Sequence, residues 1–226
     1  GGADAVYLGG RALNARKSAG NFDAEGLKWA ADFCHERGRK VYVTVNTLLK
    51  QEELDELSGL AGQLAAAGVD GAIVQDLGCA CALRAMLPTL PLHASTQMAI
   101  HNVQGVRFLQ EQRFERVVLA RELTFQEIAA CAKEGVEVEV FGHGALCVAC
   151  SGQCLFSSLV GGRSGNRGLC AQPCRLPYRL LGAAAQARGC LLSPRDLMQL
   201  NNLPALRAAG VASLKLEGRL KKPEYV

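Results

Sequence analysis

"LAAAGVDGAIVQD", residues Leu64–Asp76, joins the end of a helical pattern, a glycine and a short β-rich run in one phrase. A glycine just past a helix end takes the left-handed conformation that releases the chain into a strand. The phrase recurs as "FCHERGRKVYVTVN" around Gly38, "CAKEGVEVEVFGHG" around Gly135 and "LRAAGVASLKLEGR" around Gly210. This spacing predicts strands at Ala5–Leu8, Val41–Asn46, Gly71–Gln75, Leu92–Ser95, Arg116–Ala120, Glu137–Phe141 and Ser213–Glu217. Helices are expected at Ala24–Arg37, Glu52–Ala67, Cys79–Leu87, Val103–Gln112, Phe125–Glu134 and Asp196–Ala209. Short apolar strands separated by helices indicate βα units around a parallel sheet. The expected fold is α/β, a TIM-like (β/α)8 barrel fragment lacking its first strand. An open doubly wound sheet is the alternative, which periodicity alone leaves open.

The strands end in polar groups that an ordinary core avoids: Asn46, Gln75 with Asp76, His93 with Ser95 and Gln97, Arg121 with Glu122, His143, and Glu217 with Arg219. In a barrel these converge on the C-terminal face, where active sites sit. Any one of them alone more often satisfies a loop backbone. Their recurrence at six of the seven strands points to a polar pocket.

With 226 residues and 49% hydrophobic content, one sizeable core forms without staples. Ten cysteines and no visible secretory signal therefore favour metal or redox chemistry over disulfides. A formal charge of +4 tolerates an anionic partner without requiring one. No apolar run of about 18 residues exists, so no membrane span is predicted and a cytoplasmic location is expected. The sequence opens at "GGADAVYLGG" and stops at "KKPEYV", which reads as part of a longer chain. The expected organisation is one incomplete barrel domain, 1–226, with a cysteine-rich insertion at 142–192 before the last strand.

That insertion holds Cys147, Cys150, Cys154, Cys170 and Cys174 in the pattern C-x2-C-x3-C-x15-C-x3-C, with Cys190 beyond. Paired cysteine hooks suit zinc, and four thiolates in a glycine-rich loop equally suit an iron–sulfur cluster, so spacing leaves both open. A nucleophilic thiol with His143 as its base is a third reading, but that chemistry needs one cysteine and the loop has five. Cys34, Cys79, Cys81 and Cys131 fall inside predicted helices and read as core packing. Arg163, Arg167 and Arg175 suit phosphate contacts or the neutralising of a thiolate-rich centre. No basic stripe interleaved with aromatics accompanies them. Neither a Gly-x-Ser-x-Gly elbow nor a His-Glu-x-x-His helix is present.

"GHGALCVACSGQCLFSSLVGGRSGNRGLCAQPCR", preceded by "LHASTQMAIHN" and followed by "LLSPRDL" and "LKLEGRLKKPEYV", closely resembles the signature of the collagenase-like peptidase family U32. The opening "GADAVYLGGRALNARKSAGNF" is similar to that family's early strand and loop, so the resemblance spans essentially the whole chain. The family's name rests on collagen-degrading members, while other members are oxygen-independent hydroxylases of transfer RNA, of ribosomal RNA or in ubiquinone synthesis. The resemblance implies a hydroxylase modifying an RNA base, with prephenate as co-substrate. It also implies a 4Fe–4S cluster on Cys147, Cys154, Cys170 and Cys174, with Cys190 as the alternate fourth ligand and zinc as the alternative metal. The family usually has Tyr where this chain has Cys150, which is read as a substitution and not a ligand. By their placement, Asn46, His93, Gln97, Glu122 and Glu217 at the strand ends are expected to position substrate, and Arg163, Arg167, Arg175 and Arg219 to meet phosphates or a carboxylate donor. The acid/base candidates are His143, Glu217, Glu122 and Asp76. The rival readings are a collagenase-like hydrolase and a zinc-stabilised binding barrel without catalysis.

Overall fold

The computed structural model describes residues 2–15, 19–182, 187–218 and 221–225. Strands and helices alternate through β1 (Ala5–Gly9), α1 (Ala24–His35), β2 (Lys40–Val45), α2 (Leu54–Ala67), β3 (Gly71–Val74) and α3 (Leu77–Met86). The alternation continues through β4 (Leu92–Ala94), α4 (Val103–Glu111), β5 (Arg116–Val118), α5 (Phe125–Cys131) and β6 (Glu137–Gly144). It then breaks into α6 (Phe156–Gly161), β7 (Tyr178–Arg179), β8 (Arg188–Gly189) and β9 (Leu197–Met198), before α7 (Leu203–Ala208) and β10 (Ser213–Glu217).

Four of the helices start where a side chain caps them. Asp23, Asp76, Asn102 and Thr124 accept hydrogen bonds from backbone N–H groups in the first turns of α1, α3, α4 and α5. Gly38, Gly68, Gly135 and Gly210 have φ of 63°, 67°, 78° and 88°, the left-handed release read from the repeated phrase.

All seven expected strands form one parallel path in the order β1-β2-β3-β4-β5-β6-β10. The order never reverses, as a doubly wound sheet's would. One face carries Val41, Val43, Val45, Ala72, Val74, Leu92, Ala94, Val117, Val138 and Val140, which pack with Leu27, Leu57, Leu64, Leu83, Val106 and Leu109 of the helices. The other face carries residues of opposite parity: Tyr7, Tyr42, Ile73, His93, Arg116, Glu139 and Lys215. Lys215 of β10 lies 4.2 Å from the centre of the Tyr7 ring of β1, although these strands end opposite sides of the sheet path. The sheet is therefore curled, with this second face concave.

Two expectations need correction. Asp196–Ala209 is not one helix: Leu197–Met198 pairs antiparallel with Gly144 and His143, and the helix begins only at Leu203, with Pro204 in its first turn. Proline is tolerated there because that N–H has no intrahelical partner to lose. Among the four helix cysteines, Cys79 and Cys131 are buried and Cys34 packs partly on the core, but Cys81 is exposed. Among the described residues no helix is long and apolar enough to cross a membrane.

Candidate functional site

After β6 the chain crosses the C-terminal ends of the strands, and each crossing is marked by a specific contact. Behind β5, Glu122 accepts from the Ser151 N–H at 2.9 Å and from its hydroxyl at 3.2 Å. The Arg121 guanidinium donates to the Ser151 hydroxyl at 3.0 Å, and Ser151 is fully buried. Behind β4, Gly152 packs so closely on the Gln97 backbone that a Cβ would lie 2.1 Å from the carbonyl oxygen. Behind β2, Arg167 donates to the Leu48 carbonyl and pairs with Glu53 at 2.5 Å. The insertion thus lies over the strand ends.

Arg175 fastens the loop to itself. Its guanidinium donates to the Ser193 hydroxyl at 2.5 Å, to the Pro194 carbonyl at 3.0 Å and to the Leu146 carbonyl. These bonds hold both flanks of the cysteine run. Arg163 is exposed, and Arg167 lines a cavity of about 150 Å³ with Arg11, Ala12, Leu13, Thr47, Glu53 and Glu56. Arg219 lies outside the described residues.

Three of the loop's cysteines lie close enough to Cys174 to act on it electrostatically. Burial raises the Cys174 thiol above its ordinary value, Arg175 opposes this, and Cys147, Cys170 and Cys154 raise it further through their charge. Cys147, Cys150, Cys170 and Cys190 are exposed, and Cys154 and Cys174 are half-buried. Among the described residues no disulfide joins the cysteines. The Gln172 N–H points at Cys170 Sγ from 3.4 Å. Among the described residues, no three His, Cys, Asp or Glu side chains converge as a single-ion site.

The other expected residues divide into three groups. Asp76 caps α3 through the Cys79 N–H at 2.8 Å and accepts from the Leu49 N–H at 3.1 Å, and Asn46 accepts from the Ala15 N–H at 3.0 Å. These two hold loops in place. His143 and Glu217 lie at the ends of the neighbouring strands β6 and β10, opposite Leu216 and Gly144 respectively, with His143 Nε2 2.8 Å from the Tyr225 carbonyl oxygen. His93 lies lower, buried on the concave face with its ring 4.5 Å from Tyr42. Burial, with Arg116 and Lys215 adding to it, pushes His93 down to about 4, so the ring is neutral.

Several site residues were not anticipated. His101 Nε2 lies 3.2 Å from Glu122 Oε2, which adds a titratable ring to the Glu122–Ser151 contact. Beneath the mouth, buried Glu139 meets Lys215 at 3.2 Å, Ser213 at 2.8 Å and Arg116 at 3.3 Å. Burial alone would raise its carboxyl, yet Lys215, Ser213 and Arg116 outweigh that and hold it below the ordinary carboxylate value. The alternation of Glu137 and Glu139 with valines was the available signal, since period-2 charges mark one strand face.

A curled parallel sheet with a cysteine-rich loop lying over its polar strand ends defines an α/β protein of half-barrel form. The chain belongs to peptidase family U32, whose family model matches residues 1–226. It is 45% identical to a 23S rRNA 5-hydroxycytidine synthase of Escherichia coli (strain K12), with 100% of this chain and 34% of the relative aligned. It is 38% identical to tRNA hydroxylation protein P1 of Bacillus subtilis (strain 168), with 100% of this chain and 56% of the relative aligned. A collagenase of Porphyromonas gingivalis (strain ATCC BAA-308 / W83) is 36% identical, over 100% of this chain and 58% of the relative. The chain thus spans about a third to three-fifths of the length of these relatives. A solved U32 peptidase structure shares the fold, with a TM-score of 0.53 at 14% identity over 64% of this chain and 62% of the other.

Proposed function

We propose that this chain carries the cluster and substrate mouth of an iron–sulfur-dependent, oxygen-independent hydroxylase that modifies a base in transfer or ribosomal RNA. The observation that carries the reading is the docking of a loop holding Cys147, Cys154, Cys170 and Cys174 over polar strand ends, in a chain whose relatives are named for rRNA and tRNA hydroxylation. The curled sheet is read as seven strands of a (β/α)8-type barrel with one βα unit missing between β10 and β1. Lys215 already reaches Tyr7 across that interval, and Val6, Leu214 and Leu216 are exposed on its outer side.

The donor set fits a 4Fe–4S cluster: Cys147, Cys154, Cys170 and Cys174 offer four thiolates from one glycine-rich loop, and the first three each act electrostatically on Cys174. The Gln172 N–H at Cys170 Sγ is the sort of contact that tunes such a cluster. When bound, such a cluster supplies one-electron redox chemistry.

This chain's own residues would bind and orient the substrate. Arg163 offers an exposed guanidinium to RNA phosphate. Arg167, which lines the cavity and pairs with Glu53, would meet the carboxylates of an oxygen donor such as prephenate by exchanging that partner. The His101–Glu122 pair can hold a proton at His101 Nε2 beside the mouth. A cytoplasmic location follows from the RNA substrate.

The hydrolase alternative has weaker support. Ser151 is fully buried with its hydroxyl held by Glu122, and His143 Nε2 faces a backbone carbonyl, so neither forms a nucleophile–base couple. The test is nucleoside mass spectrometry on RNA incubated with the full-length protein, purified without oxygen. A pyrimidine with one added oxygen, absent with Cys147→Ala, is expected. Gelatin cleavage with no oxidised nucleoside would return the peptidase reading.

A further inference from the structure

We propose that Cys147 and Cys150 form a redox-active dithiol, which closes to a disulfide against an oxidising glutathione pool and so withdraws Cys147 from metal binding. The bridge stands on the chain alone, and only its effect on metal rests on the cluster reading above.

Cys147-Val148-Ala149-Cys150 is a C-x-x-C stretch, the spacing at which two thiols meet across a short turn and exchange with disulfides. The chain bends at Val148 and Ala149, between the two cysteines. A bend at both central residues of four turns the first and last toward each other. Disulfides bridge Cα atoms about 4.4–6.8 Å apart, the separation found across such turns. Both cysteines are exposed, and so is Val148 between them, which leaves the pair open to a small thiol reagent. The flanks, by contrast, are fixed. The Leu146 carbonyl accepts from Arg175, and fully buried Ser151 is held by Glu122. Closing the bridge therefore reshapes only the stretch between these two anchors.

The two thiols differ in their other work. Cys147 is one of the three cysteines that act electrostatically on Cys174, whereas Cys150 falls outside the four expected ligands. The thiolate is the form that binds a metal, so a Cys147 sulfur tied to Cys150 is lost as a ligand. In the exchange, one thiolate of the pair attacks a sulfur of glutathione disulfide, forming a mixed disulfide and releasing one glutathione thiolate. The second thiolate then attacks the mixed disulfide and releases the other glutathione. The two cysteines give up two electrons and two protons, and glutathione disulfide takes up both. Bridges of this kind in cytoplasmic proteins are transient and redox-sensing.

The experiment takes the full-length protein, purified without oxygen, through glutathione buffers of increasing oxidation. Open thiols are then blocked by alkylation, bridges are mapped by mass spectrometry, and iron is counted per chain. The wild type is expected to gain a Cys147–Cys150 bridge and to lose iron in step with it. The ratio of bridged to open pair should rise tenfold per ~30 mV of poise, as a two-electron couple does. Cys150→Ser should keep its iron at poises that empty the wild type. Cys190→Ser removes another exposed thiol and should behave as wild type. Absence of the bridge, a bridge from Cys147 to a different cysteine, or iron lost as readily from Cys150→Ser as from wild type would overturn the proposal. A bridge in protein that carries no iron at any poise would refute the cluster reading and leave the dithiol standing. Iron held throughout without a bridge would do the reverse.

Discussion

Replacing Gly152 by alanine tests whether docking of the cysteine loop positions its thiols. Gly152 has φ of +71° and would place a Cβ 2.1 Å from the Gln97 carbonyl oxygen, where ordinary contact begins at 3.4 Å, so loop and floor must part by roughly 1.3 Å. A left-handed alanine costs about 1 kcal/mol. Relieving the overlap adds about 1–3 kcal/mol, as overpacked sites do. Gly162→Ala is the matched control: its φ is +64° with nothing within 4 Å of a Cβ, so only the backbone cost applies. The assays are iron and acid-labile sulfide per chain after anaerobic purification, with urea unfolding alongside. Gly152→Ala should lose most of its iron while keeping a cooperative unfolding transition, because the helix-facing core lies on the other side of the sheet. Gly162→Ala should keep its iron. Equal iron retention in the two variants would refute the docking argument.

The buried concave face makes stability depend on pH. His93 is held at about 4 against an ordinary 6.5, so its contribution is full above about pH 6.5 and lost as pH falls toward 4. The loss amounts to about 3 kcal/mol at most; His93→Gln should flatten the difference in urea midpoint between acid and neutral pH, and an unchanged difference would count against it. Glu139→Gln removes the carboxylate shared by Lys215, Arg116 and Ser213. Breaking such a buried pair costs about 3–5 kcal/mol, which thermal melts at neutral pH will read. That difference should shrink in acid, since a carboxylate held below its ordinary value loses its contribution as pH falls through its folded pKa. Arg175→Ala frees Ser193, Pro194 and Leu146 and should lower iron content without altering the salt slope of RNA binding. Arg163→Ala should keep its iron and reduce that slope by about 0.7–0.9 for one phosphate contact.

The parallel sheet was legible in the sequence because β2, β3, β6 and β10 are each announced locally by a helix, a left-handed glycine and an apolar run. Strand β9 was not, because its pairing with β6 joins Leu197–Met198 to residues far back in the chain, and two residues carry no periodicity. Pro204 was a readable sign that the last helix starts late. The cysteines stood out by clustering in the sequence, and the fold lays their loop over the strand ends. The floor beneath them did not stand out. Ser151 and Gly152 look like spacers between cysteines, and only the fold sets them on Glu122 and Gln97. His101 and Arg121 likewise gain their places from contacts 21 and 30 residues away along the chain, for which a local pattern has no sign.

The most direct test of the account is the metal content of the full-length protein purified without oxygen, beside a double variant carrying Cys147→Ala and Cys170→Ala. About four irons and four sulfides per chain in the wild type, both lost in the double variant, is the predicted result. Stoichiometric zinc without sulfide, or iron retained by the double variant, would contradict it.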